Sequence, residues 1–457
     1  MTFQFKSTNE VLTGQGGLPI FGQILRHLPL INRLLASKVP EAEAPDISHA
    51  EVVLSYLGLL AQGDNDYDHI EAVRQDAFFK MALNIEQVPS SATLRQRLDQ
   101  AAAAESNAQW GHAMNESSDA LLRQYAQIQP ITIGKQQYVP LDVDVSPMDN
   151  SKTKKQGVSR TYKGVDGYAP NFAYLGHEGY ALAIDFREGK QHCQKGTPAF
   201  LTDCIQRAKT ILGPKAAGES PDLKLLLRLD AGNDSTDNMD LAREGQADFL
   251  IKRNLRGEKP AEWLAVAKAQ QNAPESNWVS PRPGKTVYQG ETWRAPKAGH
   301  APERIVYEVI ERTSTASGQM LCVPEVEVAT YWTSLADPVA DILPWYPDHG
   351  TMEQYHSEFK TDLDLERLPS GKFATNRLIM DLALLAFNVL RVIGQATLAF
   401  LTVPLRQPAV RRRIRTVVQH VIGCAAKCVR HGRTVTVRYA QTNPWGAILG
   451  PLYAAFA

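Results

Sequence analysis

The sequence predicts an α/β protein with a mixed sheet covered by helices and interrupted by a mostly β insertion. An all-α N-terminal domain precedes that core and a helical basic C-terminal region follows it. Three observations predict this. Apolar residues recur at helical spacing in residues 21–35, 50–60 and 117–127. Strand-length apolar runs then alternate with helical patterns between 131 and 256. Pro- and Gly-rich turns separate short β-type runs from 257 to 342.

A chain of 457 residues exceeds one simple core. The partition read from the pattern is 1–130, 131–256, 257–342, 343–403 and 404–457. In the first part, Ser90 caps an amphipathic helix that carries Arg95 and Arg97, a candidate DNA-facing helix of a helix-turn-helix-like unit. The core reads as strands 137–145, 172–175 and 180–186, helix 198–212, strand 223–229, helix 235–245 and strand 247–252. That β-β-β-α-β-α-β order suits a mixed sheet. The insertion holds β-type runs at 286–288, 304–309, 319–323 and 327–333, and helical character returns from about 350 to 400.

The formal net charge is zero, with 44 % hydrophobic and 21 % charged residues, as in ordinary globular proteins. The charges are unevenly spread. No Asp or Glu follows Asp381, whereas Arg406, Arg411, Arg412, Arg413, Arg415, Lys427, Arg430, Arg433 and Arg438 do. A one-sign tail suits a polyanion, because each cation placed on a phosphate releases counterions. An exposed helix face or an acidic partner domain is the alternative. Five cysteines without a Cys-x-x-Cys pair argue against a disulfide framework or zinc site and fit a reducing cytosol. Cys424 and Cys428 lie one helical turn apart in an apolar stretch, which suits packing. The N-terminus lacks a signal-peptide pattern. The longest apolar stretch, 378–403, is broken by Asp381, Asn388, Arg391 and Gln395 and reads as a buried helix, so no membrane association is expected. Gly14-Gln15-Gly16-Gly17 has neither the preceding strand nor the Lys-Ser/Thr ending of a phosphate loop.

Three acidic segments carry chemistry. In Leu141-Asp142-Val143-Asp144-Val145, two carboxylates at i and i+2 share one face of a strand and are flanked by apolar residues. Buried carboxylates are costly unless paired or metal-bound. In Leu225-Leu226-Leu227-Arg228-Leu229-Asp230, an Asp ends a strongly apolar strand, where α/β proteins build sites. In the segment 346–360, His349, Glu353, His356 and Lys360 fall on one helical face. Singly, each has a bland reading as a helix cap or solvated face.

Together, strand-Asp, strand-Asp and helix-Glu with a β insertion before the Glu resemble the DDE transposases of bacterial insertion sequences, whose core is RNase H-like. The family most resembled is insertion sequence family 1380. Its Tyr, Arg, Glu, Lys signature, with two, three and six residues between, is matched here by Tyr346, Glu353 and Lys360, with His349 where Arg is expected. Gly167-Tyr168-Ala169-Pro170, Phe249–Asn254 and the acidic pattern of Asp66, Asp68, Arg74 and Asp76 resemble further parts of that family.

The resemblance implies DNA cleavage and strand transfer at terminal inverted repeats, by a homodimer on paired ends of double-stranded DNA, in the bacterial cytoplasm at the nucleoid. It implies two Mg²⁺ ions, with Mn²⁺ able to substitute, held by Asp144, Asp230 and Glu353. Two ions about 4 Å apart serve the in-line displacement of a phosphodiester. Asp142 is the alternative first member; Asp144 is preferred because Asp144-Val145-Ser146 resembles the Asp-x-Ser/Thr of RNase H-like first strands. Tyr346, His349 and Lys360 are expected on end phosphates. Lys152, Lys154, Lys155, Arg160 and Lys163 after the first strand are further phosphate candidates, as are Lys252, Arg253 and Arg256 after the later one. The alternatives are an RNase H-like nuclease without strand transfer, or a DNA-binding protein whose catalysis has lapsed.

Overall fold

The computed structural model describes residues 1–37, 46–213, 223–274, 276–405 and 408–457; Arg406 of the basic tail lies outside them. After β1 (Val11–Thr13) come helices Leu18–Arg26, Leu30–Ala36, His49–Leu60, Ser91–Ala101 and Ala104–Tyr125, among shorter turns. Ser48 and Glu51 close a reciprocal capping box on one of these helices, and Ser90 caps another by accepting from the Thr93 amide. Strands β2 (Ile131–Ile133) and β3 (Gln136–Val145) follow, then a small three-stranded sheet of β4 (Met148–Asp149), β5 (Ser159–Arg160) and β6 (Asp166–Tyr168). The core continues with β7 (Asn171–Leu175), β8 (Tyr180–Asp185), helix Thr197–Leu212, β9 (Lys224–Leu229), helix Thr236–Glu244 and β10 (Asp248–Lys252).

The insertion contributes helix Pro260–Gln270 and β11 (Asn277–Arg282), β12 (Lys285–Arg294), β13 (Glu303–Ser314) and β14 (Met320–Thr333). These four strands do not form a separate sheet. They extend the main one to ten strands in the order β11-β12-β13-β14-β10-β9-β3-β7-β8, with β2 on β3. The β10–β9 and β9–β3 pairs are parallel, whereas β3–β7, β7–β8 and β14–β10 are antiparallel. The architecture is therefore the mixed sheet with helices that the sequence predicts. The runs 319–323 and 327–333 prove to be one strand, because Pro324 sits on an exposed stretch where proline is tolerated.

Helix Phe373–Ala396, the core helix, is long and apolar enough to cross a membrane, yet 94 % of its apolar window is buried inside the protein. It packs on helix Ala104–Tyr125 and on the sheet-edge strand β8. There Asn388 accepts from the Ala181 amide at 2.9 Å and donates to the Ala181 carbonyl at 2.7 Å and to Ser118 Oγ at 2.8 Å. The β7–β8 register shifts between Ala173 and Tyr174, and Asn388 satisfies the backbone beside that irregularity.

Two details of the expected architecture are corrected. The N-terminal part contains strand β1, and the C-terminal region contains a hairpin, β15 (Ala426–His431) and β16 (Thr434–Tyr439), before helix Gly446–Ala455. β1 pairs with β15, so the hairpin closes a third sheet with the N-terminal end of the chain. Cys424 and Cys428 are buried free thiols, with Cys428 on β15 rather than on a helix.

Asp381 of the core helix lies against Gly111, where a Cβ would come within 3.4 Å of Oδ2. Burial pushes its carboxyl up to about 7, against the pull of Arg377 and Arg207. Because the folded value lies above the ordinary carboxylate value near 4, the favourable contribution exists below pH ~4 and is lost as pH rises through 7. Asp381→Asn is expected to melt a few degrees above wild type at pH 8, with that advantage gone near pH 4. The check is a pair of thermal melts; the same difference at both pH values contradicts it.

Candidate active site at the strand ends

The parallel strands β3 and β9 bring the first two acidic segments side by side. In their register Asp142 stands opposite Arg228 and Val143 opposite Leu229, so Asp144 and Asp230 both lie where the pairing ends. A strand buried on both faces is expected to be continuously apolar, and Arg228 breaks the run in β9. The reason is its partner. The Arg228 guanidinium donates twice to Asp142, Nε and Nη2 each at 2.7 Å, and both groups are buried. Its remaining nitrogen donates to the Trp345 carbonyl at 2.6 Å and to Asp348 at 3.1 Å. His349 Nδ1 lies 2.8 Å from Asp142 Oδ1. Burial opposes ionisation of Asp142, yet Arg228 and His349 outweigh it and hold the carboxyl down at about 2. Asp142 is thus a neutralised member of a buried ion pair that ties β3, β9 and the turn Pro347–Thr351 together.

Asp144 is in the opposite situation. Burial and the neighbouring Asp230 raise its carboxyl to about 6, with weaker opposition from His349, the Val145 amide and Lys163. No ion pair with Lys or Arg reaches Asp144 or Asp230 among the described residues. Asp230 accepts from Asn233 Nδ2 at 2.9 Å.

Glu353 is exposed on the short helix Met352–Ser357, which passes into a π-turn, Glu358–Asp362. Such turns occur often at functional sites. The charges of Asp144 and Glu353 both act on Lys360, and those of Asp144, Asp230 and Glu353 all act on Tyr162, so the three carboxylates face a common region. No group of three or more His, Cys, Asp or Glu stands at metal-holding separation among the described residues. Of the three, Asp144 and Asp230 are the two that act on each other, the Asp230 charge raising Asp144.

Burial lowers the Lys360 ammonium, which donates to the Pro147 carbonyl. His356, absent from the expected site, is buried with Nε2 unpartnered and Nδ1 4.0 Å from Asp144. Burial first, then Lys360 and His349, keep its imidazole well below the usual histidine range. Cys193 was also missed; its thiol donates to the Gly232 carbonyl at 2.8 Å and feels the charge of Asp230. The sequence set His356 on the face of Glu353 and Lys360 without a role and gave no sign of Cys193, whereas Arg228 stands out as the one charge in the apolar run Leu225–Leu229.

Several residues expected on phosphates have partners within the fold. Arg97 is buried and donates to the Ile47 carbonyl at 3.0 Å, with His49 at 2.6 Å. Arg253 is buried on Glu258 at 2.7 Å and lies over the Trp332 ring at 4.6 Å. The Tyr346 hydroxyl donates to the Leu229 carbonyl at 3.2 Å, and His349 is committed to Asp142. Lys155 donates to Leu368 O and Asn150 Oδ1. Lys154, Arg160, Lys163 and Lys252 are exposed, as is Arg95, whose closest acid is Asp68 at 3.8 Å. Several arginines near the C-terminus are taken up in ion pairs. Arg391 and Arg411 clamp buried Glu358 at 2.5 and 2.6 Å, while Arg413 and Arg415 hold buried Asp362 at 2.8 and 3.4 Å.

No curated protein matches the chain. Among solved structures it is similar to the piggyBac transposase in a cryo-EM synaptic complex with hairpin DNA, at 8 % identity and a TM-score of 0.40, over 91 % of this chain and 83 % of that one. The family model described as transposase DDE domain group 1 matches residues 3–457. With that match over nearly its whole length, the chain belongs to the transposase DDE domain family, group 1.

Proposed function

We propose that the protein is a cut-and-paste transposase that binds terminal inverted repeats and cleaves and joins double-stranded DNA, with Asp144, Asp230 and Glu353 as its catalytic acids. The observation that carries this is the pair Asp144 and Asp230 at the ends of two parallel strands, unpaired by any Lys or Arg among the described residues, in a region that the charge of Glu353 also reaches. Family membership supports the reaction class.

The residues fit a hard divalent cation. Two carboxylates, one of them raised to about 6 by burial and by the charge of the other, are what a bound Mg²⁺ or Mn²⁺ relieves, and all the donors are oxygens. Asp144 and Asp230 would hold the metal, with Glu353 completing the set. Divalent cations there would supply activation of the attacking oxygen and stabilisation of the leaving one.

The protein's own groups do the rest. Asp142, neutralised by Arg228 and His349, anchors the strand from which Asp144 projects, so it serves as a positioning residue and not as the first acid. Exposed Lys154, Arg160 and Lys163, between β3 and β7, and Lys252, at the end of β10, are offered to backbone phosphates. Work as a homodimer on paired ends is part of this reading and follows the family resemblance.

The test is incubation with a duplex carrying the sequences that flank the gene, with and without Mg²⁺. Metal-dependent nicks at the repeat ends and joined products from pre-cut ends are expected. Cleavage without joining reduces the protein to a nuclease, and specific binding with neither product marks lapsed catalysis.

A further inference from the structure

The ion-paired arginines leave a remainder. Arg391, Arg411, Arg413 and Arg415 are consumed by Glu358 and Asp362, and Lys427 pairs with Glu10. Arg430, Arg433 and Arg438, with His431 between, lie on or at the turn of the β15–β16 hairpin. All four are exposed, as is the whole stretch 430–440 except Val437. No ion pair reaches any of the three arginines among the described residues, and the 76 residues after Asp381 contain no acid to supply one.

The hairpin is built to present these cations. Its buried side is brief: Ala426 and Cys428 pack inward with partly buried Val437. Gly432 takes φ +60° at the turn, which sends His431 and Arg433 to the tip. On the outer side Lys427 stands directly opposite Arg438; Glu10 pairs with Lys427, which leaves Arg438 as the cation of that row without an ion pair among the described residues. β16 is the free edge of its sheet, so its outward amides are also available to an acceptor. The base of the hairpin is held firmly, because Arg411, Arg413 and Arg415 just before it fasten the chain to the π-turn that follows the Glu353 helix.

The geometry points to the β15–β16 hairpin as a DNA-backbone contact, separate from the carboxylate site, in which Arg430, Arg433 and Arg438 take duplex phosphates. A two-stranded ribbon has the width of a DNA groove, and three exposed arginines without ion pairs among the described residues match a phosphate row. This rests on the transposase reading and adds to it a contact surface far along the chain from the catalytic loops.

The experiment uses the full chain and a duplex oligonucleotide, with binding followed by fluorescence anisotropy between 50 and 200 mM salt. The triple variant Arg430→Ala, Arg433→Ala, Arg438→Ala is expected to bind at least about tenfold more weakly, with the slope of log affinity on log salt reduced by about 2–3. The triple Arg→Lys variant is expected to keep the wild-type slope. Circular dichroism and sedimentation of each variant accompany the titration. Wild-type binding with an unchanged slope in the alanine variant overturns the hairpin assignment and leaves the transposase reading standing. So does a change in oligomeric state with DNA affinity retained, which makes the edge a protein contact. A wild-type protein that binds no duplex overturns both.

Discussion

Asp230→Asn is expected to lower metal-dependent strand cleavage by about 10³-fold or more while leaving duplex affinity within about twofold. The argument starts from a strand end. Asp230 follows five buried residues of β9 and is steadied by Asn233 rather than by a cation, so its charge is free to act on a neighbour. That neighbour is Asp144, whose raised carboxyl is partly Asp230's doing. The amide keeps the shape and the Asn233 contact but removes the charge, so the loss reports chemistry and not folding. A second readout is specific to this geometry: without the Asp230 charge, the Asp144 carboxyl moves down toward the ordinary range. Carboxylate NMR of the metal-free protein shows that shift. Full cleavage by both Asp230→Asn and Glu353→Ala overturns the assignment.

The largest stability effect is expected at Arg228. Arg228→Met keeps much of the length and packing but leaves Asp142 charged, buried and held by His349 alone. Breaking a buried pair from one side costs about 3–5 kcal/mol. The double variant Asp142→Asn, Arg228→Met is expected to recover part of that, because the uncompensated charge goes with its partner. Denaturant unfolding of the two variants measures it. Wild-type stability in Arg228→Met contradicts the clamp.

Much of the core was legible because its elements carry unmixed signals. Strands β3, β7, β8 and β9 and helix Thr197–Leu212 lie within a residue or two of the positions read from apolar patterning, since each is buried in a way that patterning records. The hairpin β15–β16 was not. Cys424 and Cys428 share helical spacing, and the period-2 alternation of Thr434–Tyr439 lies on a mostly solvated ribbon with little core to announce it. Helix Pro260–Gln270 was hidden because only Trp263 and Ala267 are buried along it, inside a stretch rich in turn residues.

The site was legible in its acids and not in their partners. Spacing gave Asp142 and Asp144 one face, but only the register of β3 against β9 separates the ion-paired residue from the unpaired one. Likewise the count of tail cations exceeded the number free to meet DNA, because Glu358 and Asp362 come from another segment and charge counts do not report pairing.

The central claim is that Asp144 and Asp230 form a divalent-cation site. Its most direct test is Mn²⁺ binding to the purified full chain, followed by electron paramagnetic resonance near neutral pH. The account predicts bound Mn²⁺ in the wild type, displaced by excess Mg²⁺, and its loss in Asp144→Asn, Asp230→Asn. Equal Mn²⁺ binding by wild type and the double variant contradicts it.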